Sequence, residues 1–218
     1  MKNKIIISNL MKILIIIIGL WGIYESITKF PNSTVKLYFY TTLTNIACII
    51  FSIFYLYKNI NKKTYNVNKE RIINIIYYII TVSIFIVSLT YNLIIFPNYH
   101  TSLINYGMEN FIFHLIVPIL FVCDWLIFAK KDSLNIKSIY YCLIPFIAYL
   151  IGIYFRAFFI GTKIFSGPNS GNSLYPYFFL DIDKLGLSNV IIYIFIILIL
   201  ILILGYILEK FGKKIKLN

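Results

Sequence analysis

The chain has 218 residues, of which 60% are hydrophobic and 13% charged, with a net charge of +12 and a mean hydropathy of +0.85. A soluble domain carries about 25% charged residues, and a fold of this length cannot hide so much apolar surface from water. The composition excludes a soluble enzyme and predicts an all-α polytopic membrane protein, a single transmembrane domain of six helices filling residues 1–218.

The first apolar run covers about Met11 to Ile27 and follows Lys2 and Lys4. No small-x-small cleavage pattern comes after it, so it reads as an uncleaved span. The turn Phe30-Pro31-Asn32-Ser33 leads into the second run, about Leu37 to Tyr57, which ends in a basic loop reaching Arg71. The third run, about Ile72 to Phe96, closes at Pro97-Asn98, and a polar-aromatic segment joins it to the fourth, about Phe111 to Phe128. Lys130 and Lys131 end the fourth; the fifth runs from about Ile139 to Ile160 and the sixth from about Leu187 to Leu208. Between the last two lies the longest loop, rich in Gly, Pro and aromatic residues.

The basic residues fall in small groups at the ends of apolar runs, a topological signal and not the footprint of a nucleic-acid surface. Assigned to alternate sides, 15 lie with the two termini and the second and fourth loops, and five, Lys29, Lys36, Arg156, Lys163 and Lys184, lie opposite. The positive-inside rule then predicts a cell-membrane protein with both termini in the cytoplasm. Cys48, Cys123 and Cys142 all sit within apolar runs and read as packing residues. Neither a phosphate-binding Gly loop nor a His/Cys ligand cluster is present, so no cofactor or metal is expected.

Ionisable and polar groups inside a span are costly, and each is a candidate for function. They are Glu25, His114, Asp124 and Arg156, with the neutral cluster Thr41, Thr42, Thr44 and Asn45. Thr41 lies five residues inside Lys36, His114 four inside Asn110, and Glu25 four before Lys29, so each is roughly 6–8 Å from the external end of its helix. Arg156 is near the same end, and Asp181 sits in the loop that folds over it. Asp124, beside Trp125, is instead near the cytoplasmic end and reads as an interfacial residue. Pro118 has no amide for the carbonyl of His114, which predicts a free carbonyl and a kink beside the histidine. A plainer reading stands beside each: a buried Thr usually bonds the carbonyl one turn back, His114 bridges two helices, and Glu25 pairs with Arg156.

Three segments carry a resemblance. Phe39-Tyr40-Thr41-Thr42-Leu43-Thr44-Asn45, then His114-Leu115-Ile116-Val117-Pro118 with Asp124-Trp125, then Tyr175-Pro176-Tyr177-Phe178-Phe179-Leu180-Asp181 resemble, in order, the signatures of the bacterial branch of the androgen-induced, six-span membrane protein family. Phe39 and Tyr40 stand in exchanged order and Thr44 replaces the usual Ser. The resemblance implies a threonine hydrolase acting on fatty acid esters of hydroxy fatty acids, with Thr41 as nucleophile and His114 as base. Asn45 would donate to the oxyanion, and either Glu25 or Asp181 would orient His114. Membrane lipids, including a lipid-ester substrate, are the expected partners. The alternatives are a solute-binding component of a membrane importer and a membrane protein without chemistry.

The orientation is tested with single cysteines and a membrane-impermeant maleimide on intact cells. A cysteine at Asn169 is expected to react and one at Asn61 to be protected; the opposite pattern inverts the topology.

Overall fold

The computed structural model describes residues 2–29, 33–99, 107–167 and 171–214. Six helices are long and apolar enough to cross a membrane: α1 (Lys2–Lys29), α2 (Tyr40–Ile60), α3 (Val67–Ile95), α4 (Met108–Phe128), α5 (Ile136–Phe159) and α6 (Leu187–Lys214). The protein is therefore an all-α multi-pass membrane protein. At 1.5 Å per residue, each helix exceeds the roughly 30 Å hydrocarbon core.

Several ends differ from the apolar runs. α1 begins at Lys2 instead of Met11, and α6 continues to Lys214, beyond Leu208. Hydropathy marks where lipid stops, whereas backbone hydrogen bonding carries a helix on into the headgroup layer. α2 does the reverse: Ser33–Tyr38 forms a 3₁₀ helix, Phe39 is extended, and the α-helix starts at Tyr40 rather than Leu37.

α1 packs on α2 and α4, α3 packs on α2, α4 and α6, and α5 leans on α6. Close approach depends on four glycines. A Cβ at Gly19 would fall 2.8 Å from the Ile49 side chain and one at Gly22 2.5 Å from Phe113, so α1 needs both to seat against α2 and α4. Gly205 and Gly212 do the same for α6, against the Tyr78 hydroxyl and the Trp125 ring. The helices enclose an aromatic core in which Tyr77, Tyr78, Phe121 and Trp125 are fully buried.

Asp124 is buried in the bundle and paired, not exposed at its surface. It is 1% exposed and forms an ion pair at 2.8 Å with Lys12, which is 0% exposed. Lys12 Nζ donates to both Asp124 oxygens, at 2.9 and 2.8 Å, and to Ser8 Oγ at 2.8 Å, using all three ammonium donors. The Tyr77 hydroxyl donates to Asp124 as well, and the Tyr55 ring lies 4.6 Å from the ammonium. Lys12, counted above with the N-terminal basic group, belongs instead to the interior. The face carrying the termini is called the basic face below, and the other the hairpin face.

The hairpin face is covered by the chain between α5 and α6. Strands β1 (Phe165–Gly167) and β2 (Gly171–Ser173) pair antiparallel with Phe165 opposite Ser173. A 3₁₀ turn (Phe178–Leu180) and a one-turn helix (Ile182–Leu185) follow. Gly186, at φ +75°, supplies the left-handed residue that redirects the chain into α6.

The buried pair sets up a stability test. Lys12→Met leaves a carboxylate alone in the core and is expected to lower stability by about 3–5 kcal/mol. Lys12→Met with Asp124→Leu is expected to recover most of that loss, read as thermal unfolding in detergent. Equal loss in single and double variants would mean that the pair does not act as a unit.

Candidate active site

Two π turns face each other near the hairpin face, Tyr91–Ile95 in α3 and Ile112–Ile116 in α4. Such turns widen a helix and release backbone groups from it, and they concentrate at functional sites. Here they bring Tyr91 flat against His114, with ring centroids 3.6 Å apart and planes 6° from parallel.

Pro118 explains the local chemistry. Its absent amide would serve the carbonyl of His114 in an α register or of Phe113 in a π register. Both carbonyls take side-chain donors from neighbouring helices instead. His114 O accepts from Ser88 Oγ at 2.6 Å and Asn92 Nδ2 at 3.1 Å, both on α3. Phe113 O accepts from Asn45 Nδ2 of α2 at 3.2 Å. The freed carbonyl expected at His114 is thus present and bound across the bundle. Ser88 and Asn92 escaped the sequence reading, although two polar residues at i, i+4 within an apolar run were the available signal.

The His114 side chain is buried, at 6% exposure. Its ring has a hydrogen bond to the Val87 backbone, while Nδ1 is buried with no partner among the described residues. A ring that donates from its other nitrogen keeps its lone pair on Nδ1, the atom able to accept a proton.

Thr41 lies in the first turn of α2 and is 8% exposed. Its hydroxyl is 3.3 Å from the Tyr177 hydroxyl, which also accepts the Thr41 amide at 3.3 Å. Tyr177 comes from the loop over the hairpin face, stacks on Phe179 and packs edge-on to Phe39. Burial raises its phenol above the ordinary value, with the Thr41 contacts opposing; it stays a neutral donor. Thr44 bonds back to the carbonyls of Tyr40 and Thr41.

The remaining polar candidates have other tasks. Asn45 uses both amide hydrogens on carbonyls, Thr41 O at 2.9 Å and Phe113 O, so neither is free for an oxyanion; its buried Oδ1 has no partner among the described residues. Arg156 does not pair with Glu25. It donates to the loop carbonyls of Leu174 at 2.9 Å and Thr162 at 2.8 Å, with its guanidinium 5.0 Å from the Tyr38 and Phe165 rings. Asp181 does not reach His114: it accepts from Ser173 Oγ at 2.7 Å and caps the one-turn helix through Lys184 N at 3.2 Å. Glu25 is half-buried on α1.

Thr41 and His114 share the layer without touching: no hydrogen bond joins them. A small cavity of about 30 Å³ adjoins Thr41, lined also by Val87, Tyr91 and Tyr177 among others, with His114 reached only through Tyr91, on which it stacks. It has the volume of one water, not of an ester. Among the described residues no three His, Cys, Asp or Glu side chains gather as metal ligands. No protein-family model, curated protein or solved structure matches the chain.

The carbonyl clamp yields a prediction. Ser88→Ala alone is expected to cost little, because Asn92 still serves His114 O; Ser88→Ala with Asn92→Leu orphans it and is expected to cost about 1–3 kcal/mol. Additive small losses in thermal unfolding would show that the carbonyl is satisfied elsewhere.

Proposed function

We propose that the protein is an intramembrane hydrolase of lipid esters, residing in the cell membrane with both termini in the cytoplasm and allied to the androgen-induced family that its motifs resemble. The observation carrying this reading is the cavity wall: Thr41 borders a void that Tyr91 also lines, and Tyr91 stacks on a histidine whose buried Nδ1 has no partner among the described residues. A threonine hydroxyl needs such a base to become nucleophilic.

In this mechanism an entering ester displaces Tyr177 from Thr41, and the hydroxyl closes on His114. Thr41 Oγ1 attacks the ester carbonyl while His114 Nδ1 takes its proton. The tetrahedral intermediate collapses, the C–O bond to the alcohol breaks, and His114 returns the proton to the leaving oxygen. Water, activated by the same nitrogen, then cleaves the acyl-threonine. Tyr177 replaces Asn45 as oxyanion donor, because its hydroxyl already sits beside Thr41 Oγ1 and Asn45 has no amide hydrogen to spare.

A second reading, lipid binding without chemistry, is favoured by one observation: the Thr41 hydroxyl meets Tyr177 and not His114. Turnover of a panel of lipid esters by purified protein separates the two. Thr41→Ala and His114→Ala should each abolish hydrolysis, with the double variant little worse. Tyr177→Phe should lower turnover by about 10²-fold. Thr42→Ala serves as a folded control. Full activity in folded Thr41→Ala, or none in the wild type, defeats the hydrolase reading.

A further inference from the structure

Beside the site just described lies a larger void of about 520 Å³, bounded by α2, α3 and α5. It exists because α5 leans on α6 and because the facing side chains are small. The chain has only four alanines, and two of them, Ala47 and Ala148, line this void together with Gly152. A Cβ at Gly152 would meet nothing within 4 Å.

Its polarity is graded. Toward the hairpin face stand Tyr40, the first residue of α2, and Ser83 of α3. Both are buried, at 6% and 4% exposure; the two hydroxyls lie within reach of each other, and neither has any further hydrogen-bond partner among the described residues. Ala47 lies seven residues further along α2, about 10 Å deeper, and Ile79 lies a turn deeper along α3 than Ser83; there the lining is apolar. Thr44 also lines the void, but its hydroxyl is already spent on backbone carbonyls.

We propose that this cavity holds one hydrocarbon chain of a membrane lipid, with the lipid's ester carbonyl or hydroxyl hydrogen-bonded by Tyr40 and Ser83. Even paired with each other, the two hydroxyls keep one donor and further lone pairs unused at the outer end of an apolar recess, which calls for an acceptor or donor brought by the occupant. The deep end offers water nothing to bind, so water does not fill it. In a bilayer the available occupant is an acyl chain, and a groove of about 520 Å³ is within the size range of sites that hold small organic ligands. The amphiphile's polarity matches the gradient, polar group outward and chain toward the membrane centre. The site stands whether or not Thr41 hydrolyses anything.

The test uses a long-chain fatty acid methyl ester carrying a mid-chain diazirine, photolysed with the purified full-length protein and mapped by mass spectrometry. Adducts are expected at Ala47, Ile79, Ile80 and Ala148. Gly152→Phe plugs the recess and is expected to cut those adducts more than about tenfold. Gly152→Leu is the milder variant should the larger one fail to fold, with thermal unfolding monitored for both. Tyr40→Phe with Ser83→Ala is expected to reduce labelling by the ester about fivefold, but not labelling by a diazirine alkane that lacks the carbonyl. Adducts confined to outward-facing side chains such as Ile151 and Phe158, or cavity labelling unchanged in folded Gly152 variants, would overturn the proposal. Absent ester turnover with intact labelling leaves it standing and defeats only the hydrolase reading.

Discussion

A polar group carried into hydrocarbon has no water to turn to, and the fold depends on how this chain meets that constraint. The costliest case is the Lys12–Asp124 pair, two opposite charges at 0% and 1% exposure. Their desolvation is offset only because every ammonium hydrogen has an acceptor and Tyr77 shares the carboxylate. The contact ties α1 to α4 and α3. Besides this contact, α1 is held to the bundle by its glycine seams, Gly19 on Ile49 and Gly22 on Phe113, by the buried Ile15 and by the Asn59–Asn9 hydrogen bond.

The same constraint acts at the other end of α4. Pro118 and the π turn release two carbonyls, and α2 and α3 each send an amide or hydroxyl to collect them. α4 is thereby pinned to α1 and α3 toward the basic face and to α2 and α3 toward the hairpin face. The pinning also explains why His114 is so well placed: its carbonyl is fixed by two donors and its ring by Tyr91. The histidine thereby links α4 to α3, and among the described residues its Nδ1 is left without a partner.

Over this layer the loop between α5 and α6 works as a cover. Arg156 draws two of its carbonyls down, Tyr154 takes a third, Leu180 O at 3.1 Å, and Asp181 braces the hairpin through Ser173. The loop also sets the Tyr177 hydroxyl on that of Thr41. Tyr40 lines both the small void at Thr41 and the large recess between α2, α3 and α5. An ester whose chain lay in the recess would bring its carbonyl to the Tyr40 ring, one residue from the threonine.

The six spans and the all-α class follow from the sequence by itself, because bilayer thickness is a one-dimensional requirement that run length and charge satisfy locally, although the helices outrun their apolar runs at several ends. The carbonyl released at His114 follows too, since a proline's missing amide is a fact of covalent structure. The partners of these groups were decided only by tertiary packing. Asp124 and Lys12 stand 112 residues apart and Thr41 and Tyr177 136 apart, so no periodicity links them. Lys12, inside the first apolar run, groups with the N-terminal basic residues in the sequence because a lysine one residue into a run reads as a flank until its partner, on a distant helix, is known. Glu25, Arg156 and Asp181 shared a calculated depth with Thr41 and His114, yet depth is one coordinate of three. Rotation about each helix axis and the path of the covering loop sent Arg156 to backbone carbonyls and Asp181 to Ser173, because in hydrocarbon the nearest donor or acceptor outweighs any more distant charge.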